Sequence, residues 1–419
     1  MARIECPARP IDPYASVVGD DVLTRIVAVA ARLRGVRVLH LSATARGGGV
    51  AEVLRSQVPL LRGLGLEVEW HALEADAPFF ALARKLRDGL QGRPVEFADA
   101  ERALYARTLA SNLAPFAERW DIVVVHDPQP AGCLGILDGR RTGRWVWRCH
   151  LDLSTPAPAA LAFMAPLVAE YDATVFTLPA YAHPPLRAGR VEFVTPSIDP
   201  LALKNRRLPR RLARRVLARR FGIDPDRPLV TQVSRYDPWK DPLGVLDAYR
   251  AVRRRLPGVQ LALVGNAAED DPEGLEVLRR VRAAAAGEPD VHVLSTRDRL
   301  SRDERVHALE VAAFQSGSEV VVQKSTREGF GLVVTEAMWK GAAVVGGRVA
   351  GIEAQIEDGV TGCLVSSPAE CAERVTELLL DPARRESLGA RARESVRERF
   401  LLPRHLFDEL RLYLALTGR

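Results

Sequence analysis

A chain of 419 residues exceeds the roughly 250–300 that a single hydrophobic core organises, so it divides into two or three domains. With 47% hydrophobic and 27% charged residues and a mean hydropathy of −0.05, it has ample apolar content to offset chain entropy, which excludes disorder as its dominant state. The formal net charge of +6 raises the question of a polyanionic partner and needs a location.

The amino terminus has no basic-then-apolar signal pattern, so a cytoplasmic protein is expected. The most apolar stretch, residues 156–169, contains internal prolines and falls short of the roughly 20 residues needed to cross a bilayer. Five scattered cysteines form no C-x-x-C pair or His/Cys cluster, so reduced thiols and no metal site are expected.

Residues 20–34 place Leu23, Ile26, Val27, Ala30 and Leu33 on one face at helical spacing. A repeated pattern follows: a short β-branched run, a loop with Gly, Asp or Pro, then an amphipathic stretch. It predicts strands at 36–41, 66–72, 122–126, 145–149, 173–177 and 191–194. After a junction at 196–228 rich in Pro, Arg and Asp, the strands restart at 229–233, 259–264, 291–294, 319–323 and 343–346. Continuous apolar strands alternating with helices predict an α/β fold of two doubly wound, Rossmann-like domains, with ligands outside the carboxyl ends of the strands. The expected bounds are 1–200 and 229–400, with 201–228 a basic linker or helix and 401–419 a terminal helix.

The positive charge concentrates in that linker. Residues 204–220 hold nine cations and no acid, and the rest of the chain is mildly acidic. No aromatic residues interleave the run for base stacking, so a solvated helix is expected and nucleic acid is not.

Three loops carry candidate chemistry. The first strand runs into Gly47, Gly48 and Gly49 at a helix start, which suits either an anion-binding loop or a structural turn; it matches neither a dinucleotide fingerprint nor a P-loop. In the second half, the strand at 229–233 leads to Arg235 and Lys240, with Asp241-Pro242 reading as an N-cap and first helical position. Two cations there suit a diphosphate, the alternative being solvated loop charges. The third segment reads Glu328-Gly329-Phe330-Gly331, then a helix from about Leu332 that carries Glu336. Carboxylates flanking a helix start accept hydrogen bonds from sugar hydroxyls, and the helix amino terminus favours phosphate.

E-G-F-G-L-x-x-x-E-A, together with S-R-x-x-x-x-K and the early glycines, resembles the retaining nucleotide-sugar glycosyltransferases of GT-B architecture. The stretches beginning at Gly47, His126, Trp147, Pro196, Gln232 and Glu336 narrow the resemblance to the trehalose glycosyltransferring synthases, with retaining trehalose phosphorylases close by. It covers residues 20 to 419. The resemblance implies an acceptor-side domain first and a nucleotide-sugar domain second, facing across a cleft, with the terminal helix crossing back to the first.

By the same resemblance, Arg235 and Lys240 hold the diphosphate with the amides of Gly48, Gly49 and the helix start after Gly331. Glu336 binds ribose. Glu328, with the amides of Gly329, Phe330 and Gly331, holds donor-sugar hydroxyls, and His150 contacts the transferring sugar. His126, Asp127 and Asp152 lie where an acceptor could bind, whereas His40, His71, His183, His292, His307 and His405 read as structural. The implied reaction takes nucleoside-diphosphate glucose and glucose reversibly to α,α-trehalose, with no tightly bound cofactor and Mg²⁺ accompanying the nucleotide. A phosphorylase yielding glucose 1-phosphate, and a non-catalytic nucleotide-sugar sensor, are the alternatives.

Overall fold

The computed structural model describes residues 1–137, 139–266 and 272–419. The chain forms two units: Met1–Ser197 with Leu401–Arg419, and Ile198–Phe400.

Unit 1 is built on seven strands: β1 (Ala2–Arg3), β2 (Arg37–Ser42), β3 (Glu67–Ala72), β4 (Ile122–His126), β5 (Arg144–Cys149), β6 (Ala173–Phe176) and β7 (Arg190–Phe193). Their order is β1-β3-β2-β4-β5-β6-β7, and β1 alone is antiparallel. β4 and most of β2 and β5 are buried, as expected of parallel strands covered on both faces. One face packs Val38, Val124 and Val146 against Leu23, Ile26 and Ala30 of the helix Asp20–Arg32 and against Leu406, Leu410 and Tyr413 of the carboxyl-terminal helix Leu402–Thr417. Asp20 and Asp21 in the first turn favour the dipole of the former, and Gly418 at φ 68° ends the latter in a left-handed cap.

Unit 2 is a six-stranded parallel sheet of β8 (Leu229–Val233), β9 (Gln260–Gly265), β10 (Val291–Ser295), β11 (Val320–Gln323), β12 (Ala343–Gly347) and β13 (Cys363–Val365), ordered β10-β9-β8-β11-β12-β13. The basic run forms the expected helix, and most of its arginines are exposed, but it belongs to this unit and is not a linker between the two. Helix Arg210–Phe221 buries Ala213, Leu217 and Phe221 with Leu229, Val233 and Phe314. Among the described residues, four of the run's nine cations meet acids: Lys204 pairs with Glu336, Arg210 and Arg214 with Glu319, and Arg220 with Glu310.

In each sheet, chain order reverses on either side of one strand. β2 sits between β3 and β4, and β8 between β9 and β11. Loops leaving such a switch point diverge and open a crevice at the strands' carboxyl ends. The glycine loop follows β2, and Arg235 and Lys240 follow β8.

Candidate functional site

In unit 2 the loops after β8 and β11 are stitched together. Thr326 N–H donates to Trp239 O at 2.8 Å, and Gln232 Nε2 donates to Lys240 O at 2.7 Å from within β8. Asp237 caps the turn Pro238–Lys240 by accepting from Trp239 N–H at 2.9 Å. Asp241 is the N-cap of the helix Pro242–Arg255 and accepts from Gly244 N–H at 3.1 Å, with Pro242 in the first turn as expected. Its φ of 48° is a left-handed conformation that non-glycine residues adopt at a cost, and its carboxylate is paired with the buried Lys324. Lys324 was not among the expected site residues; its position at the end of β11, in a chain with five lysines, was the available signal.

Within this frame Lys240 Nζ donates to Glu328 Oε2, which also accepts from Ser325 Oγ at 3.3 Å. The sequence named Lys240 and Glu328 separately; the structure pairs them. Arg235 is different. Its side chain is 52% exposed and reaches Asp237 Oδ2 at 3.2 Å, leaving a guanidinium largely available to a ligand.

The Glu-Gly-Phe-Gly turn is shaped by its glycines. Gly331 has φ +88°, and a Cβ there would lie 2.9 Å from Glu328 Cγ; a Cβ on Gly351 would lie 2.3 Å from Glu328 O. Phe330 is buried, its ring edge-on to Phe400 at 5.5 Å, while its carbonyl accepts from Gln355 Nε2. Among the described residues no acceptor engages the amides of Gly329, Phe330 or Gly331, which precede the helix Leu332–Trp339. That leaves three consecutive donors at a helix amino terminus beside a lysine–glutamate pair, an arrangement that binds anions and hydroxyls. Glu336 lies one turn into this helix and is 1% exposed. Its Oε1 is 2.7 Å from Lys204 Nζ, and its Oε2 accepts from Gln315 Nε2 at 3.3 Å. In this structure Glu336 therefore faces protein partners, and ribose recognition by it requires exchange of Lys204.

In unit 1, Gly47 and Gly48 take φ of 70° and 93° before the helix Gly49–Gly63, with Gly48 as N-cap. No heavy atom lies within 4 Å of a Cβ built on either, so conformation and not crowding demands glycine there. The loop is exposed.

The carboxyl ends of β4 and β5 carry the histidines. His126 pairs in register with Arg148, and His40 of β2 with Val124, so His40, His126, Arg148 and His150 share one sheet face. Their rings form a stack: His40 Nδ1 is 3.0 Å from His126 Nε2, and His126 Nδ1 is 3.0 Å from His150 Nε2, with centroids 5.3 Å apart at each step. Burial lowers His40 to about 4 and pushes His126 and His150 well below the usual histidine range, reinforced by neighbouring cationic charge. His40, expected to be structural, is the inner ring of this stack, and His405, also expected to be structural, lies beside it, where Glu409 gathers Arg148, His405 at 3.3 Å, Gln57 and Tyr413 around one carboxylate. Glu409 is itself held down at about 2, its burial outweighed by His405 and Arg148.

Asp127 has a left-handed φ of 65°; its Oδ1 accepts from the backbone N–H of His150 at 2.8 Å, and its carbonyl accepts from Trp147 Nε1 at 3.0 Å. Burial raises it to about 6. Its observed task is to hold the backbone of His150. Asp152 is buried, and its Oδ1 accepts from Ser154 N–H at 2.8 Å.

A family model described as "Trehalose synthase, N-terminal domain" matches residues 40–183, and one described as "Glycosyl transferases group 1" matches residues 214–395. The trehalose synthase of Rubrobacter xylanophilus is 44% identical over the whole of both chains, and that of Pyrococcus horikoshii 40% identical over 98% of this chain and 97% of its own. A trehalose phosphorylase of Pleurotus sajor-caju is 24% identical, covering 86% of this chain and 55% of its own length. Among solved structures, a sucrose-phosphate synthase from Thermosynechococcus elongatus superposes with TM-score 0.71 at 19% identity, covering 91% of this chain and 99% of its own. Anabaena HepE in complex with UDP-glucose superposes with TM-score 0.65 at 18% identity, covering 90% and 99%. Two parallel-sheet units with these full-length likenesses place the chain in the trehalose synthase family, glycosyltransferases of GT-B architecture.

Proposed function

We propose that this chain transfers glucose from a nucleoside-diphosphate glucose to the anomeric hydroxyl of free glucose, giving α,α-trehalose with retention, and that it runs the reaction in both directions. The observation that carries the reading is in unit 2: the exposed Arg235 guanidinium, the Lys240–Glu328 pair and three unengaged amides at the helix start, all on loops leaving one switch point.

Glycosyl transfer builds positive charge in the sugar ring and negative charge on the departing diphosphate, and groups already oriented toward those charges lower the barrier. Arg235 and Lys240 meet the diphosphate, helped by the amides of Gly48, Gly49 and Gly331. Glu328 and the amides of Gly329 and Phe330 hold donor hydroxyls, and Glu336 takes the ribose once Lys204 yields. His150 contacts the transferring sugar, while His126, Asp127 and Asp152 line the acceptor side. Deprotonation of the acceptor falls to the leaving phosphate, so no enzyme nucleophile is required. Any Mg²⁺ enters with the nucleotide. The UDP-glucose seen with Anabaena HepE and the names of the trehalose synthases support this choice of substrates.

The burial of Glu336 against Lys204 favours one rival, a phosphorylase that has no ribose to bind. Incubating the protein with trehalose and either nucleoside diphosphates or inorganic phosphate separates the two. Nucleotide-glucose from the first supports the proposal, and glucose 1-phosphate from the second alone overturns it. Nucleotide binding without turnover in either mixture would indicate a sensor.

A further inference from the structure

The stacked histidines are more than a core packing solution, because their nitrogens meet in one continuous chain, Nδ1 of one ring against Nε2 of the next. His40 Nε2 lies 3.5 Å from Tyr413 Oη, whose hydroxyl is 3.4 Å from Glu409 Oε2. Among the described residues nothing bonds Nδ1 of His150. A neutral imidazole carries one N–H, so in a chain of three, joined Nδ1 to Nε2, the end that is fixed fixes the rest. Two arrangements exist: every ring donates from Nε2, or every ring donates from Nδ1.

The far end decides between them. Glu409 is a buried carboxylate paired with Arg148, and a carboxylate only accepts. Tyr413 therefore donates to Glu409 and offers its lone pair to His40, which must present Nε2–H. His126 then donates from Nε2 to His40, and His150 from Nε2 to His126. We propose that Tyr413 and Glu409, on the carboxyl-terminal helix, are positioning residues that set the tautomer of His150 through His40 and His126, leaving His150 Nδ1 as a bare acceptor for a sugar hydroxyl.

Neutrality of the inner rings matters, since a doubly protonated His40 or His126 would donate from Nδ1 as well and turn the rings beyond it to Nδ1–H. The lowered basicity of all three rings, from burial beside Arg148, supports it. The sugar contact rests on the role proposed above for His150; the tautomer does not.

Long-range ¹⁵N NMR of the full chain labelled at histidine reads the tautomer directly. The expected wild-type pattern is Nε2–H at His40, His126 and His150. In Tyr413→Phe the acceptor for His40 is gone, a buried N–H would face an apolar ring, and the chain should reverse to Nδ1–H at all three. Donor kcat/KM should then fall about tenfold, as for loss of one well-aligned hydrogen bond. Nδ1–H on wild-type His150, or an unchanged His150 tautomer in folded Tyr413→Phe, overturns the proposal. Should the variant not fold, the wild-type pattern still decides. If that pattern is as expected but His150→Ala keeps wild-type kcat/KM, the sugar-contact reading fails and the relay of tautomers stands.

Discussion

Replacement of Glu328 by Gln separates two roles for the carboxylate. In the structure its Oε2 accepts from Lys240 Nζ and from Ser325 Oγ at 3.3 Å, so Gln preserves shape and one acceptor oxygen but removes the charge opposite Lys240. If Glu328 holds donor hydroxyls, the loss is that of charge-assisted hydrogen bonds, about 1.5–3 kcal/mol. That corresponds to roughly a 10- to 150-fold fall in kcat/KM. If Glu328 instead attacks the anomeric carbon, the amide cannot serve, and the fall should be on the order of a millionfold, as for other removed nucleophiles. Initial rates of trehalose formation in wild type and Glu328→Gln measure the difference, with mass spectrometry of quenched wild-type enzyme as the second readout. Partial activity and no hexosyl adduct are expected. A turnover collapse in the folded variant together with a glucosyl ester on the Glu328 peptide would make Glu328 the nucleophile.

Arg235→Ala should leave stability within about 0.5 kcal/mol, because the side chain is half exposed and, among the described residues, bonds Asp237 alone, yet remove about 2–4 kcal/mol of transition-state stabilisation. Activity within threefold of wild type would dismiss Arg235 from the diphosphate site. Gly331→Ala should destabilise unit 2 by about 1–2 kcal/mol through a strained φ of +88°, and reduce activity because the new Cβ crowds Glu328. Urea unfolding and kinetics on the same preparation check both effects. Acid should destabilise unit 1: His40 titrates near 4 when folded against about 6.5 when free, so its contribution of about 3 kcal/mol is intact above pH 6.5 and lost as pH falls toward 4. His126, His150 and His405, all lowered chiefly by burial, act in the same direction, and Asp127, raised to about 6 by burial, acts against them. Unfolding free energies measured from pH 7.5 to 5 should fall on acidification; a flat or rising profile would contradict the buried neutral stack.

All eleven strands expected from β-branched runs are present within one residue of their expected ends, because buried parallel strands write a continuous apolar signal. The two that escaped are β1 and β13, of two and three residues, too short for any periodicity. The helix within 204–220 was legible but its place in unit 2 was not, since the acids that pair with its arginines, Glu310 and Glu319, lie about a hundred positions downstream. His40 was unreadable as a partner of His126 for a similar reason. Their contact follows from β2 lying beside β4, and strand order is not written in either strand. Glu328 and Lys240 were visible as motif residues, but their pairing depends on β8 and β11 being neighbours.

Whether glucose leaves a nucleotide sugar with retention is read from the anomeric configuration of the product. The protein is incubated with an α-linked nucleoside-diphosphate [1-¹³C]glucose and unlabelled glucose and followed by ¹³C and ¹H NMR. A labelled α,α-linked disaccharide should accumulate as nucleoside diphosphate is released. A β-configured labelled carbon, or no disaccharide from nucleotide donors while glucose 1-phosphate and glucose yield trehalose, would contradict it.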